Sequence, residues 1–286
     1  MHIVDKEAKD CVGAENTIEI YDNFQSKRKF APKVAEIVNR HIPKVPDVHA
    51  NHNEQMLKMN GYITINNFLS NDEVLELKKI VDGLEGYNAH CPHHSDLVPR
   101  VYDENYEFNT CSYYPHEFLK NKLFLKLATD PQTLSLVQSY LGCFPTIYSI
   151  NSWWHKFNGS VYDTQIFHRD TDDFKFLCFF LYLTDVNENN GPHVYCPKSH
   201  LNIPLQQPKS ITGKAGTLII ADTFSMHKGN PLVSGERLVL WWRYGMYANN
   251  QYFMSQNEKG KVDASDIFNH IEKNPHNEYL LSFFTK

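Results

Sequence analysis

The spacing of apolar positions divides the chain into two unlike parts. Up to about residue 145 they recur at helical intervals, and beyond it they fall in short β-branched and aromatic runs separated by turn residues. Val34, Ile37 and Val38 predict a helix from about Pro32 that His41-Ile-Pro43 stops, and a second short helix fits residues 51 to 59. Gly61-Tyr-Ile-Thr-Ile-Asn-Asn-Phe-Leu69 opens as a brief strand. Ser70 with Glu73 three positions on forms a capping box ahead of Val74, Leu77, Ile80 and Val81, which predicts a helix over about 71 to 83. Further helices fit 116 to 129 and 131 to 141, the second with Pro131 in its first turn. Residues 1 to 28 are polar and unpatterned, and read as an N-terminal arm.

In the second part the spacing predicts strands over 146 to 157, 162 to 169, 175 to 184, 192 to 196, 217 to 222 and 237 to 247, followed by a helical tail over 262 to 284. Asn158-Gly159, Asn190-Gly-Pro192 and Gly229-Asn-Pro231 supply turns. The run Phe174-Lys-Phe-Leu-Cys-Phe-Phe-Leu-Tyr182 is apolar on both faces, as a central, doubly covered strand is. Many short strands of this kind suggest a sandwich or barrel, and a jelly roll is one solution that controls exposed edges. The expected fold is mainly β with flanking helices: helical support over about 30 to 145, a cupin-like jelly-roll core (double-stranded β-helix) over about 146 to 247, and a tail over 260 to 286. Residues 29 to 286 are read as a single domain. The stretch from Glu85 to Pro115 has no period and is too long for a plain connection, so it reads as a functional segment or lid, where selectivity is expected to reside.

Composition narrows the partners. A hydrophobic content of 42% is enough for a substantial core, while a net charge of −5 gives no general attraction to phosphate backbones. No run approaches the length of a bilayer span, and the first thirty residues lack a signal peptide's apolar stretch. Six cysteines are spread without a CxxC pair. These features predict a reduced, cytoplasmic protein that acts on a small molecule rather than on nucleic acid or a membrane. The oligomeric state is not set by the pattern.

The chemistry concentrates in the second part. In Gln165-Ile-Phe-His-Arg-Asp170, His168 and Asp170 lie two apart at a strand end and project to one side. His227 follows the apolar strand Thr217-Leu-Ile-Ile-Ala221. Two histidines and one carboxylate on one side of a metal are the facial arrangement of non-haem Fe(II) oxygenases, which leaves coordination positions open for 2-oxoglutarate and dioxygen. Arg237 opens the last strand ten residues on, where a guanidinium can hold the distal carboxylate bidentately and stay charged when buried. With fifteen histidines and thirty-three acids an HxD triplet alone arises by chance. The ordered set, with His227 59 positions after His168 and then Arg237, does not.

From about Gly61 to Tyr247 the chain resembles the phytanoyl-CoA dioxygenase family of Fe(II)- and 2-oxoglutarate-dependent oxygenases. The resemblance rests on Gly61–Leu69 and the helix after it, Phe167-His-Arg-Asp170, Leu183-Thr-Asp-Val-Asn-Glu-Asn-Asn-Gly-Pro-His193, Gly216–Gly229 and Arg237. It implies iron ligands at His168, Asp170 and His227, and 2-oxoglutarate at Arg237. The family often carries Pro-Gly-Ser-His where this chain has Pro197-Lys-Ser-His200. Because Asp170 is retained rather than replaced by Gly or Ala, hydroxylation is expected instead of halogenation. Desaturation, cyclisation or epimerisation would use the same four residues. A non-catalytic metal-binding sensor is the reading from another class, and release of carbon dioxide from 2-oxoglutarate separates it from an enzyme.

Secondary candidates surround these four. Gln165 is a candidate for the 1-carboxylate of the co-substrate, although strand alternation turns it away from His168. Phe180 and Tyr182 share a parity and are expected to line the cavity with it. Tyr148, Trp153, Trp154 and Lys156 lie on the preceding strand and are candidates for co-substrate or substrate contact. Each of these reads equally well as packing; Asp172 and Asp173 are candidates to tune the site or hold substrate cations, with turn residues the preferred reading. His90-Cys-Pro-His-His94 carries zinc-type ligands but lacks a second Cys/His pair, so a lid or a solvated loop is preferred.

Overall fold

The computed structural model describes residues 24–46, 52–88, 99–157, 159, 161, 163–201, 203–246 and 261–285. The first part holds α1 (Phe24–His41), α2 (His52–Asn60), β1 (Tyr62–Ile65), α3 (Asn71–Lys79), β2 (Glu85–Gly86), β3 (Arg100–Val101), β4 (Thr110–Tyr113), α4 (Pro115–Leu119), α5 (Lys122–Ala128) and α6 (Pro131–Leu141). The second holds β5 (Thr146–Lys156), β6 (Phe176–Tyr182), β7 (His193–Tyr195), β8 (Lys209–Ile211), β9 (Leu218–Ala221), β10 (His227–Gly229), β11 (Glu236–Gly245), α7 (Ala264–Phe268) and α8 (Pro275–Leu280).

Local chemistry sets the helix ends. The Ser70 hydroxyl accepts from the Glu73 N–H, and the Glu73 carboxylate accepts from the Ser70 N–H at 2.9 Å, so the capping box forms as its sequence requires. Asp130 caps α6 through the Thr133 N–H at 2.8 Å with Pro131 at the first position, and Gly142 at φ 91° ends it. The helix expected over 116 to 129 is two, because Asn121 accepts from the Phe124 N–H at 2.9 Å and starts α5 afresh.

A six-stranded antiparallel sheet runs β1-β9-β6-β11-β5-β4, and a three-stranded sheet runs β10-β7-β8. This is the mainly β, jelly-roll architecture expected from the strand pattern. Alternation along β11 gives the larger sheet two different faces. Leu238, Leu240, Trp242 and Tyr244 point to the helices, where Phe124 meets Trp242 edge-on at 5.7 Å and the Tyr244 hydroxyl donates to Ala128 O. Arg237, Val239, Trp241 and Arg243 point the other way, into a cavity.

Two expectations need correction. In the stretch expected as a strand over 162–169, the described residues 163–169 do not form one: Asp163–Gln165 is one turn of 3₁₀ helix, and His168 makes a single bridge to His227. Among the described residues the edge it meets is that of β10, three residues long, and Thr164 favours a turn. Residues 24–28, read as part of the polar arm, are helical, and α1 starts eight residues before the expected Pro32.

The Arg28 guanidinium is also far from loose. It donates to both carboxylate oxygens of Asp222 at 2.5 and 2.6 Å and lies 4.1 Å from the Phe224 ring centroid. The Tyr140 hydroxyl donates to the same carboxylate. Burial would raise the pKa of Asp222, but Arg28 and Tyr140 outweigh it and hold the pKa below its ordinary value. This latch ties α1 and α6 to the segment that leads into His227. Tyr140→Phe removes one hydrogen bond to a buried carboxylate while Arg28 still pairs with it. It should lower unfolding stability by about 2 kcal/mol in denaturant melts; an unchanged midpoint would show that Arg28 alone satisfies Asp222.

Candidate metal centre and its cavity

Backbone hydrogen bonds bring three side chains together from two loops. His168 N donates to His227 O at 2.9 Å, His227 N to His168 O at 3.0 Å, and Asp170 N to Thr223 O at 2.9 Å. Between the first and last of these, Arg169 Nη1 donates to Ser199 O at 2.9 Å and Phe224 O at 2.7 Å, clamping the loop. One ligand atom each from His168, Asp170 and His227 then lie within 4.8 Å of one another. Each histidine Nε2 is 3.7 Å from an oxygen of Asp170.

The second shell fixes which ring nitrogen can bind a metal. His168 Nδ1 is 2.7 Å from Ile166 O and His227 Nδ1 is 2.8 Å from Ser225 O. A carbonyl only accepts, so both Nδ1 atoms carry a proton and both Nε2 atoms, which face Asp170, are the ones placed to bind a metal. Burial pushes His227 down to about 4, with His168 acting the same way and Asp170 against it, so this imidazole is neutral at physiological pH.

Arg243 sits behind the carboxylate. Its Nη2 donates to Asp170 Oδ2 at 2.9 Å and its Nη1 donates to Asp172. Burial would raise the pKa of Asp170, but Arg243 first, then His227, the Thr223 hydroxyl and His168, bring it below its ordinary value. The carboxylate is therefore held ionised and aimed. Asp172 is no mere turn residue, since it neutralises the guanidinium that steadies Asp170.

The triad opens on a cavity of about 690 Å³, counting its solvent-exposed mouth, walled by Trp153, Phe180 and Trp241 among others. Arg237 stands in the same wall and is 7% exposed. It donates to His155 Nδ1 at 3.3 Å, and its Nε has no partner among the described residues. Burial pulls its pKa below the ordinary value, and only Tyr182 opposes this, so no acidic group among the described residues balances the charge. Gly229 lies beside this guanidinium: a Cβ there would be in ordinary contact with Arg237 Nη2, at 3.8 Å.

The structure gathers His168, Asp170, His227, Arg237, Gln165, Phe180, Tyr182 and Trp153 around this cavity. Gln165 reaches it because the 3₁₀ turn breaks the alternation that would have turned it away. The Tyr182 hydroxyl is committed, donating to Ile211 O at 2.8 Å and accepting from His193 N at 3.0 Å. Trp154 and Lys156 have the opposite parity to Trp153 and lie on the far face of the sheet, where Tyr102 stacks on Trp154 at 4.9 Å, so they do not reach the cavity. Tyr148 is buried beneath it with its hydroxyl 3.5 Å from Asp172. Among the described residues of 85–115 none lines the cavity; His90, Cys91, His93 and His94 lie outside the described residues. Sequence reasoning missed His155, His193, Trp241 and Arg243. Lys198, where the family often has glycine, holds the left-handed φ of 62° that glycine adopts freely.

Comparison with known proteins agrees with this geometry. The family model for phytanoyl-CoA dioxygenase (PhyH) matches residues 57–237. No curated protein matches the sequence. Among solved structures, HygX from Streptomyces hygroscopicus with nickel and 2-oxoglutarate bound is 15% identical, covering 69% of this chain and 87% of its own, with a TM-score of 0.51. The non-heme alpha-ketoglutarate-dependent epimerase SnoN from nogalamycin biosynthesis is 16% identical, covering 67% and 80%, at a TM-score of 0.51. EctD from S. alaskensis with bound Fe is 19% identical, covering 71% and 82%, at 0.50.

Proposed function

The chain belongs to the phytanoyl-CoA dioxygenase family of iron- and 2-oxoglutarate-dependent oxygenases, and we propose on that premise that His168, Asp170 and His227 hold Fe(II) while Arg237 anchors the distal carboxylate of 2-oxoglutarate. One observation carries this assignment. A buried guanidinium without an acidic partner among the described residues faces the same cavity as two imidazoles and a carboxylate whose ligand atoms converge. A buried cation of this kind calls for an anion, and a metal bound by the three ligands calls for further donors. A 2-oxo dicarboxylate supplies both. Gln165 stands beside His168 in the cavity wall and is assigned to the co-substrate's metal-proximal carboxylate; Phe180 and Tyr182 line its path.

Fe(II) with bound 2-oxoglutarate supplies the electrons that activate dioxygen. The protein's own part is to fix the ligands through the Nδ1 and Arg243 hydrogen bonds, to exclude water with Trp153, Phe180 and Trp241, and to place one substrate bond near the metal. The proposed outcome is hydroxylation of a small molecule: substrate, 2-oxoglutarate and dioxygen give hydroxylated product, succinate and carbon dioxide, one oxygen atom going to each organic product. A continuous core from Ala31 to Phe284 supports reading residues 29–286 as one oxygenase domain. No helix of the described residues is long and apolar enough to cross a membrane. The buried free thiols of Cys111, Cys143, Cys178 and Cys196 support a cytoplasmic location.

Anaerobic titration with Fe(II) and 2-oxoglutarate tests the site. The weak visible charge-transfer band of a chelated keto acid should appear with the wild-type protein and not with His227→Ala. Folded wild-type protein that gives no band would sink the assignment.

A further inference from the structure

The function above makes no use of His193. It stands in β7 opposite Gly229 of β10, on the face that Tyr195 and His227 share two pairs further along. Its ring packs against Phe180 at 4.6 Å and His227 at 5.4 Å between centroids, and its backbone N–H is taken by the Tyr182 hydroxyl at 3.0 Å. The side chain is 6% exposed and lines the cavity, yet its Nε2 has no partner among the described residues. A buried polar atom in that state has a ligand to find.

Position says which ligand. A Cβ at Gly229 would stand 3.8 Å from Arg237 Nη2 and 3.7 Å from Thr164 O, and paired residues in an antiparallel ladder have Cβ positions about 5 Å apart. His193 therefore flanks the gap between His227 and Arg237, beside a glycine that puts no side chain into it. Any 2-oxo dicarboxylate that reaches from the metal ligands to Arg237 passes through it. Arg237 Nε and His193 Nε2 are two orphaned polar atoms in the wall of one cavity, and a carboxylate has lone pairs for both. The Tyr182 hydroxyl, also in this wall, cannot donate, because its single proton already goes to Ile211 O. The metal cluster itself comprises only His168, Asp170 and His227 among the described residues, which leaves His193 outside the ligand set.

We propose that His193 is a second anchor for the distal carboxylate of 2-oxoglutarate, donating a hydrogen bond from Nε2 beside the Arg237 guanidinium. The assignment rests on the co-substrate reading above. It is tested by calorimetric binding to protein loaded with Mn(II) under argon, which reads affinity without turnover. 2-Oxoglutarate is compared with 2-oxopentanoate, which chelates identically but carries a methyl group in place of the distal carboxylate. His193→Leu should weaken 2-oxoglutarate by about tenfold or more and leave 2-oxopentanoate and Mn(II) unchanged. His193→Gln, which restores an N–H, should recover most of the loss. Equal weakening of both keto acids would assign His193 to packing and overturn the proposal, as would an unchanged affinity for 2-oxoglutarate. Wild-type protein that binds 2-oxopentanoate as tightly as 2-oxoglutarate would overturn the Arg237 anchor too, a result that separates failure of the underlying reading from failure at His193 alone.

Discussion

Asp170→Ala should weaken Fe(II) binding by more than about 100-fold and abolish iron-dependent decarboxylation of 2-oxoglutarate. Asp170 is the only anionic member of the cluster, and each histidine Nε2 lies 3.7 Å from one of its oxygens, so both imidazoles are arranged around it. The loss also changes the sign of the local field. Arg243 divides its charge between Asp170 and Asp172, and after the substitution only Asp172 remains to balance a guanidinium that faces the cavity. Two imidazoles beside a partly uncompensated cation are a poor site for a dication. Equilibrium dialysis against Fe(II) under argon, with a thermal melt as the folding control, measures the effect. A folded variant that keeps wild-type iron affinity would remove Asp170 from the ligand set.

The chemistry of this centre was legible in the sequence where it depends on short-range order and hidden where it depends on pairing. His168 and Asp170, two apart in a tight loop, and His227 after an apolar strand announce themselves by spacing. Arg237 does so too, and its strand contained more than was read from it. Residues 237, 239, 241 and 243 share one face, so once Arg237 points into the cavity, Trp241 and Arg243 follow. His193 gave no such signal, because a three-residue strand is too short to show a period, and its meaning comes from Gly229 across the ladder.

The fold divides in the same way. The long strands β5, β6 and β11 and the capped helices α3 and α6 were visible, since each carries its own period or cap. The three-residue strands β8 and β10 were not. The apolar run at Ile166-Phe167 imitates a strand, but these side chains are 60% and 40% exposed, and only one residue nearby finds a partner. The Arg28–Asp222 pair joins residues 194 apart, and no local pattern foretells it.

Arg237→Met should raise the 2-oxoglutarate requirement by at least about 30-fold, leave Fe(II) affinity unchanged, and leave the ligand-free protein as stable as wild type or more so. The two halves of this prediction have one cause. In the ligand-free protein the guanidinium is buried with one hydrogen bond, to His155, and no carboxylate among the described residues, so its charge opposes folding. A methionine of similar reach fills the space without that charge. Bound 2-oxoglutarate reverses the balance by supplying the missing anion, and at 100 times its dissociation constant it should stabilise the wild-type protein by about 2.7 kcal/mol. Melts of Mn(II)-loaded protein with and without 2-oxoglutarate separate these states: wild type gains and the variant does not. Arg237→Lys keeps the charge but loses the bidentate fork, and should fall between them. A variant that melts lower than wild type without ligand and still gains from 2-oxoglutarate would make Arg237 a structural cation, and the distal carboxylate would have to be held elsewhere.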